Sequence, residues 1–365
     1  MKIVVFTSSR ADFGICLPLL KKIKEDKFFE LILIVFGTHL SNTFGKTASE
    51  IIESGFDIDY KIETTPDSDS PESITNSMGE TIVKFSEIWN SNKFDYVLAL
   101  GDRYEMFSAC VSTIPFNIPI AHIHGGEETR GAIDNIFRHC ITLMSKCHFT
   151  TTNIYKERVV SILGNDKNVY NVGALSIDNI TKLALYDIND FKRKYNIDLA
   201  ISTILVTFHP ETVNIEINKN HINEIVNALK EVNNHQIVIT MPNADTNSNI
   251  IRDAFNSLAA EVNNVILVES FGSLGYLSCM KHCTMLLGNT SSGFVEASYF
   301  SKYVINLGIR QEGRINTPNM ITININKTNI LNAIASFKKY IPIEYNGIYG
   351  IGNTADKIVS IFKSL

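Results

Sequence analysis

Two doubly wound α/β domains are what this sequence predicts, on three observations. Short β-branched apolar runs alternate with segments of helical length along the whole chain. Many of these runs close on Gly or on a burst of ionisable residues, the way a buried parallel strand ends at a ligand site. The second half repeats this architecture without repeating the residues. With 365 residues and 45% hydrophobic content the chain can bury a large core, and its length suits two domains. The expected division is a Rossmann-like domain over 1–178, a second over 179–347, and a terminal helix over 348–365 that packs back on the first.

The first domain opens with KIVVFT (2–7), a strand, and SSRADFG (8–14), a polar loop. Pro18 reads as the first turn of a helix ending near Lys27, where its missing N–H costs nothing. The loop lacks GxGxxG and the phosphate-loop Lys pattern. It offers Arg10 beside Ser8 and Ser9 near a helix N-terminus, either an anion contact or a solvated arginine. FELILIVFG (29–37) is a second strand, followed by a Ser/Thr-rich loop and a helix around 47–54; DIDYKIE (57–63) is a third strand. TTPDSDSP (64–71) is a surface loop, and a long amphipathic helix from Glu72 to about Asn90 returns the chain to the sheet.

The stretch from Phe94 to His139 organises this half. FDYVLALG releases Asp102, Arg103 and Glu105; IPIAHIHGG releases His122, His124, Glu127, Glu128, Arg130 and Asp134, with Arg138 and His139 a turn later. Two charged strand ends this close in sequence predict neighbouring strands with pooled side chains, a catalytic floor. A helix (about 132–145), the strand CHFTTT (147–152), another helix and NVYNVGA (168–174) complete the domain, and 175–197 reads as a polar helical connector.

In the second half ISTILVTFHPE (201–211), QIVITMPN (236–243), NVILVESFG (264–272), TMLLGN (284–289) and KYVINLG (302–308) are strands with helices between them. GNTSSGFVEA (288–297) places Thr290, Ser291, Ser292 and Gly293 at a predicted helix start with Glu296 one turn in, a pyrophosphate cradle or an ordinary N-cap. GIRQEGR (308–314) adds Arg310 and Arg314 at the same edge, and guanidinium groups suit a diphosphate. The terminal helix (about 351–363) has periodic Ile, Val and Phe positions.

A formal charge of −5 and a pI near 6.0 argue against nucleic acid or an anionic membrane as the main partner. The six cysteines (Cys16, Cys110, Cys140, Cys147, Cys279, Cys283) form no CxxC pair and no metal-ligand spacing, so they read as core thiols. MKIVVFTSSR is a strand rather than a signal peptide and no apolar run reaches about 18 residues, so a soluble, cytoplasmic protein is expected.

Taken together and in order, GDRYE, HIHGGE, GAIDN followed by Arg138 and His139, the HPET turn, GNTSSG and GIRQEGR resemble the bacterial hydrolysing UDP-N-acetylglucosamine 2-epimerases of sialic-acid biosynthesis. The resemblance runs from SSRADFG to GIRQEGR, most of the chain. It implies a glycosyltransferase-B-like fold with the two domains facing a cleft, a UDP-sugar substrate, no metal or organic cofactor, and a homo-oligomer, dimer or tetramer. It also implies anti elimination of UDP to a 2-acetamidoglucal and hydration of that intermediate to N-acetylmannosamine. By motif position Asp102 is the first catalytic carboxylate, with Glu127 and Asp134 next. Carboxylates crowded in one cleft would raise one another's pKa, letting one act as an acid. Related branches carry a glutamate where this chain has His124, so either Glu127 takes that role or His124 itself moves the proton. His209 matches a histidine that contacts the phosphates and assists catalysis. Arg10, Arg310, Thr290, Ser291, Ser292 and Gly293 would hold the diphosphate, Glu296 the ribose hydroxyls, and Phe271 with its neighbouring backbone would border the uracil. Arg103, Arg138 and His139 either orient the carboxylates or neutralise them in a structural network. The same chemistry on a UDP-linked 2,4-diacetamido-trideoxyhexose, a non-hydrolysing epimerase, a glycosyltransferase and a silent nucleotide-sugar sensor are the rival readings.

Overall fold

The computed structural model describes residues 1–41, 47–243 and 245–365. Part of the Ser/Thr-rich loop expected after the second strand lies outside them. The chain divides into two compact units, one of residues 1–127, 134–182 and 348–365, the other of 128–133 and 183–347.

The first unit holds a seven-stranded sheet of β1 (Lys2–Thr7), β2 (Glu30–Phe36), β3 (Tyr60–Ile62), β4 (Tyr96–Leu100), β5 (Ile120–Ile123), β6 (Cys147–Thr150) and β7 (Val169–Asn171). Its order is β3-β2-β1-β4-β5-β6-β7 and every recorded pairing is parallel. Strand alternation sends β1 to both faces of the sheet. Ile3 and Val5 join Cys16, Leu20 and Phe362 on one side. Val4 and Phe6 join Phe85, Trp89 and Met106 on the other. Burial on both faces is why these strands read as continuous apolar runs.

The second unit holds β8 (Thr203–Thr207), β9 (Gln236–Thr240), β10 (Val265–Val268), β11 (Met285–Gly288), β12 (Tyr303–Leu307) and β13 (Met320–Ile323), all parallel in the order β10-β9-β8-β11-β12-β13. Both sheets reverse direction beside their first strand, between β1 and β4 and between β8 and β11, which makes each doubly wound.

Four local expectations are corrected. Pro18 does not open its helix. The helix runs Arg10–Glu25, so most of the expected SSRADFG loop is its first turn, and Ser9 and Asp12 form a reciprocal capping box. Pro18 therefore sits mid-helix, where it deprives the Gly14 carbonyl of its partner four residues on. Asn179 Nδ2 donates to that carbonyl at 2.7 Å, which is how the proline is tolerated. The expected 175–197 connector is two helices, Leu175–Lys182 and Ile188–Tyr195, and the first is mostly buried rather than polar. It carries the first unit past residue 178 to Lys182. GNTSSG opens no long helix: a 3₁₀ turn at Ser291–Gly293 precedes a helix of only four residues, Glu296–Tyr299. Finally, β13 escapes sequence reading because it is a four-residue edge strand with polar neighbours.

The terminal helix Thr354–Phe362 belongs to the first unit. The carboxylate of Asp178, fully buried, accepts from Thr354 N–H (2.9 Å) and Ala355 N–H (3.0 Å), filling two of the donors that a helix start leaves open. Phe362 packs its ring against Phe29, Tyr96 and Phe149.

Not every ionisable residue near β5 is available for chemistry. His122 is fully buried, with Nε2 2.8 Å from the Gly101 carbonyl and Nδ1 3.2 Å from Thr142 Oγ1. Burial lowers its pKa to about 3 and those of His39 and His148 to about 4.

Two outcomes are expected. Asn179→Ala should destabilise the fold by about 1–3 kcal/mol through the orphaned Gly14 carbonyl. In a Pro18→Ala background the restored N–H takes over, so a double-mutant cycle in urea should show strong coupling. The three buried histidines stay neutral when folded but accept protons at about pH 6.5 when unfolded. Stability from them is complete above about pH 6.5 and is lost as pH falls towards 4 and 3, the pKa values of the folded state. The urea midpoint should therefore drop between about pH 7.5 and pH 5.

Candidate active site

In an open parallel sheet the place for a ligand is the carboxyl edge at the reversal point, and most of the singled-out residues cluster there in each unit. In the first unit β4 ends on Gly101 and delivers Asp102 and Arg103. β5 ends before His124, whose backbone is left-handed at φ 68°, and Gly126 follows at φ 80°. A Cβ on Gly126 would lie 2.3 Å from the Tyr155 carbonyl oxygen, so only glycine lets the chain turn against that helix.

Arg138 is the hub of this edge. It is 2% exposed, ion-pairs with Asp102, and donates from Nη1 to the Glu127 carbonyl at 2.8 Å and to Asn135 Oδ1 at 3.4 Å. The Glu127 carboxylate is buried, with Oε1 accepting from Thr151 Oγ1 at 3.0 Å and lying 3.7 Å from His124 Nδ1. Asp102, His124, Glu127 and Arg138 are thus one connected group. Arg103 turns instead to Glu105, with Nε–Oε2 and Nη2–Oε1 both 3.1 Å. Burial pushes the Glu105 carboxyl up while Arg103 pulls it down, so this pair is structural neutralisation. Asp134 opens the helix Asp134–Met144, where the helix dipole favours a carboxylate, and His139 follows Arg138 half-buried on it. Arg10 occupies the first position of its helix, 3.5 Å from Glu50. The backbone N–H groups of Ser8 and Ser9 beside it are already taken by Asp12.

In the second unit β8 is followed two residues on by His209, whose main chain is clamped by the fully buried Asn289: His209 N–H donates to Asn289 Oδ1 (2.7 Å) and Asn289 Nδ2 donates to the His209 carbonyl (2.8 Å). Gln311 Nε2 donates to the Asn289 carbonyl at 2.9 Å, which adds the segment after β12 to the clamp. Gly288 precedes this residue because a Cβ there would lie 1.8 Å from the Thr207 carbonyl oxygen. Asp245 Oδ2 lies 3.9 Å from His209 Nδ1 and 3.5 Å from Arg310 Nη2, while Arg310 Nε donates to the Pro210 carbonyl at 3.2 Å. Thr290 and Ser292 start a chain of hydroxyls: Thr290 Oγ1 to Ser292 Oγ (3.1 Å), on to Tyr276 (2.8 Å), then Thr207 (3.2 Å) and Thr240 (2.7 Å). Ser291 and Gly293 bound the same 3₁₀ turn and Glu296 opens the short helix after it. Phe271 is 5% exposed, packs on Phe191 and Tyr195, and its carbonyl accepts from Tyr195 at 2.9 Å.

The six residues between Glu127 and Asp134 belong to the second unit. Arg130 N–H donates to the Glu312 carbonyl (3.0 Å), Thr212 N–H to the Gly131 carbonyl (3.3 Å), and Ile133 N–H to Thr212 Oγ1 (2.9 Å). A Cβ on Gly131 would meet Arg310 Cα at 2.6 Å. Sequence reasoning missed this exchange, and also Asn289, Gln311 and Asp245. Asn289 had a usable signal, a polar residue straight after a strand-ending glycine; Asp245, in the loop after QIVITMPN, had none. Among the described residues no group of three or more His, Cys, Asp or Glu side chains could hold a metal ion, and no helix is long and apolar enough to cross a membrane.

Comparison with known proteins agrees with this layout. The family model for UDP-N-acetylglucosamine 2-epimerase matches residues 21–363. A polysialic acid biosynthesis protein, P7, of Escherichia coli is 35% identical over 91% of this chain and 85% of its own. A GDP/UDP-N,N'-diacetylbacillosamine 2-epimerase (hydrolyzing) of Campylobacter jejuni is 35% identical over 89% of this chain and 85% of its own. Among solved structures, the UDP-GlcNAc 2-epimerase of Neisseria meningitidis bound to UDP-GlcNAc superposes with a TM-score of 0.85 at 19% identity, covering 100% of both chains. The shared fold is the glycosyltransferase-B-like α/β class, and the chain belongs to the UDP-N-acetylglucosamine 2-epimerase family.

Proposed function

We propose that the protein is a hydrolysing 2-epimerase that converts UDP-GlcNAc and water to UDP and N-acetylmannosamine. The observation that carries this reading is the linked group Asp102–Arg138–Glu127–His124 at the carboxyl edge of the first sheet. It gathers side chains able to transfer protons at one strand edge, which supports a sugar ring bound there. The substrate's C2–H is not adjacent to a carbonyl, so a carboxylate alone cannot remove it. Departure of UDP from C1 builds positive charge there and makes the C2 proton acidic. Elimination then needs a base at C2 and cations on the leaving diphosphate; hydration needs an acid on the opposite face of C2 and a water at C1.

In this reading Asp102 and Asp134 are the carboxylates of proton transfer, and the end of β5 supplies the third group through His124 or Glu127. His209, Arg310 and Arg10 meet the developing diphosphate charge, a contribution comparable with or larger than one proton transfer, itself worth about 10²–10⁴-fold. Thr290, Ser291, Ser292 and Gly293 donate to the phosphates, and Glu296 accepts from the ribose. The hydrolysing outcome is supported by the C. jejuni relative, a hydrolysing 2-epimerase, and the sugar by the E. coli relative, a polysialic acid biosynthesis protein. A second reading keeps the chemistry and changes the sugar to a UDP-linked 2,4-diacetamido-trideoxyhexose, favoured by the C. jejuni name at the same 35% identity.

Proton NMR in D₂O with each UDP-sugar in turn tests both. Free N-acetylmannosamine bearing deuterium at C2 is the expected product; release of only the diacetamido sugar would move the assignment to the second substrate, and an intact UDP-sugar epimer would overturn hydrolysis. Asp102→Asn keeps an oxygen for Arg138 but removes its counterion, so the chain should lose stability in urea yet still fold and bind UDP, while kcat falls by about 10²–10⁴-fold. Loss of UDP binding in calorimetry, or of folding, would make Asp102 structural instead.

A further inference from the structure

We infer that His124, with Glu127 behind it as a positioning residue, is the base at the end of β5 that takes the proton from the sugar's C2. The inference rests on the hydrolysing 2-epimerase reading and decides which of two neighbouring residues does this work.

Three observations separate them. The Glu127 side chain is 3% exposed against 15% for His124, and its Oε1 is already held by Thr151 Oγ1 at 3.0 Å. Its backbone is fixed as well, through the carbonyl that accepts from Arg138 at 2.8 Å. A carboxylate tied to Thr151 is less able to turn towards a pyranose than the partly exposed His124 ring, whose Nε2 is reached by rotation of that ring. It is well placed to face His124 Nδ1, 3.7 Å away. The third observation is conformational. His124 holds a left-handed backbone at φ 68°, pinned by its N–H donating to the Phe149 carbonyl at 3.0 Å. That backbone carries a steric cost for a residue with a Cβ. The next two positions are Gly125 and Gly126, yet this one is not glycine. An imidazole is kept at the strained point instead.

The pair then works as a carboxylate–imidazole dyad. Glu127 favours the tautomer with the proton on Nδ1 and stabilises the imidazolium formed when Nε2 accepts a second one. Nε2 is itself shielded from bulk solvent. In the step proposed, the C2–H bond breaks and its proton goes to Nε2. Its electron pair becomes the C1=C2 bond, and the C1–O pair leaves with the β-phosphate of UDP. The ionised Asp102 then takes a proton from water, whose hydroxyl adds to C1, and C2 regains a proton from the carboxylic acid of Asp134. Proton exchange with solvent returns Asp102, Asp134 and the imidazolium to their starting forms. Asp102 is less suited to the first step because its charge is already engaged by Arg138.

The test uses the full chain with UDP-GlcNAc and the diacetamido UDP-sugar, following UDP release. His124→Gly and His124→Asn both tolerate a left-handed backbone, so folding is preserved while the imidazole is lost. Each should lower kcat by about 10²–10⁴-fold with UDP affinity by calorimetry unchanged. Added imidazole should restore at least about tenfold of the loss in His124→Gly, whose cavity admits it. Glu127→Gln should lower kcat at unchanged KM, and Glu127→Asp should recover part of it, a split that a purely structural role would not produce. Retention of kcat within about threefold in either His124 variant overturns the inference while leaving the hydrolysing reading intact. So does a dead Glu127→Gln beside a His124→Gly that imidazole cannot help. A wild-type chain that releases UDP from neither sugar overturns the reading itself.

Discussion

A guanidinium sealed from water is the constraint on which the first unit depends. Burying a lone charge costs several kcal/mol, so Arg138 cannot occupy its site without a counterion and acceptors in good geometry. Asp102 supplies the charge, and the Glu127 carbonyl and Asn135 supply acceptors. Those three come from the end of β4, the turn after β5 and the first turn of the helix Asp134–Met144. Forming the ion pair therefore aligns the three segments that carry the acidic residues. The carboxylate proposed for chemistry is also the one that makes the arginine tolerable inside the protein.

The second unit solves the same alignment problem without charge. Asn289 has two donors and an acceptor to offer, and it spends them on both polar atoms of the His209 backbone. Through Gln311 the segment after β12 joins them. Three strand ends are thereby registered by amide groups, which leaves the histidine ring and the arginine oriented by their shared approach to Asp245. Satisfied buried amides hold position at any pH where the fold exists.

Much of this was legible in the chain itself. Doubly buried parallel strands such as β1 and β4 announce themselves as apolar runs, because burial on both faces leaves no polar position to blur the pattern. Where reading failed, long-range partners were responsible. Pro18 looks like a helix start until Asn179 is seen to serve the Gly14 carbonyl. Arg103 and Arg138 look interchangeable beside Asp102, yet one answers to Glu105 and the other to Asp102. Local pattern carries no information on such pairings, since each joins residues distant in sequence or a choice between equal neighbours.

The first unit is assembled from three pieces of chain, and the last of them is residues 348–365. On a ribosome, everything from Leu183 to Gly347 must emerge before that piece does. Until then the Asp178 carboxylate has no Thr354 or Ala355 amide to meet, and the slot that Phe362 fills between Phe29, Tyr96 and Phe149 stands open. Apart from its hexapeptide 128–133, itself made early, the second unit is one continuous run. The order of completion is therefore inverted with respect to the order of translation: the half begun first is the half finished last.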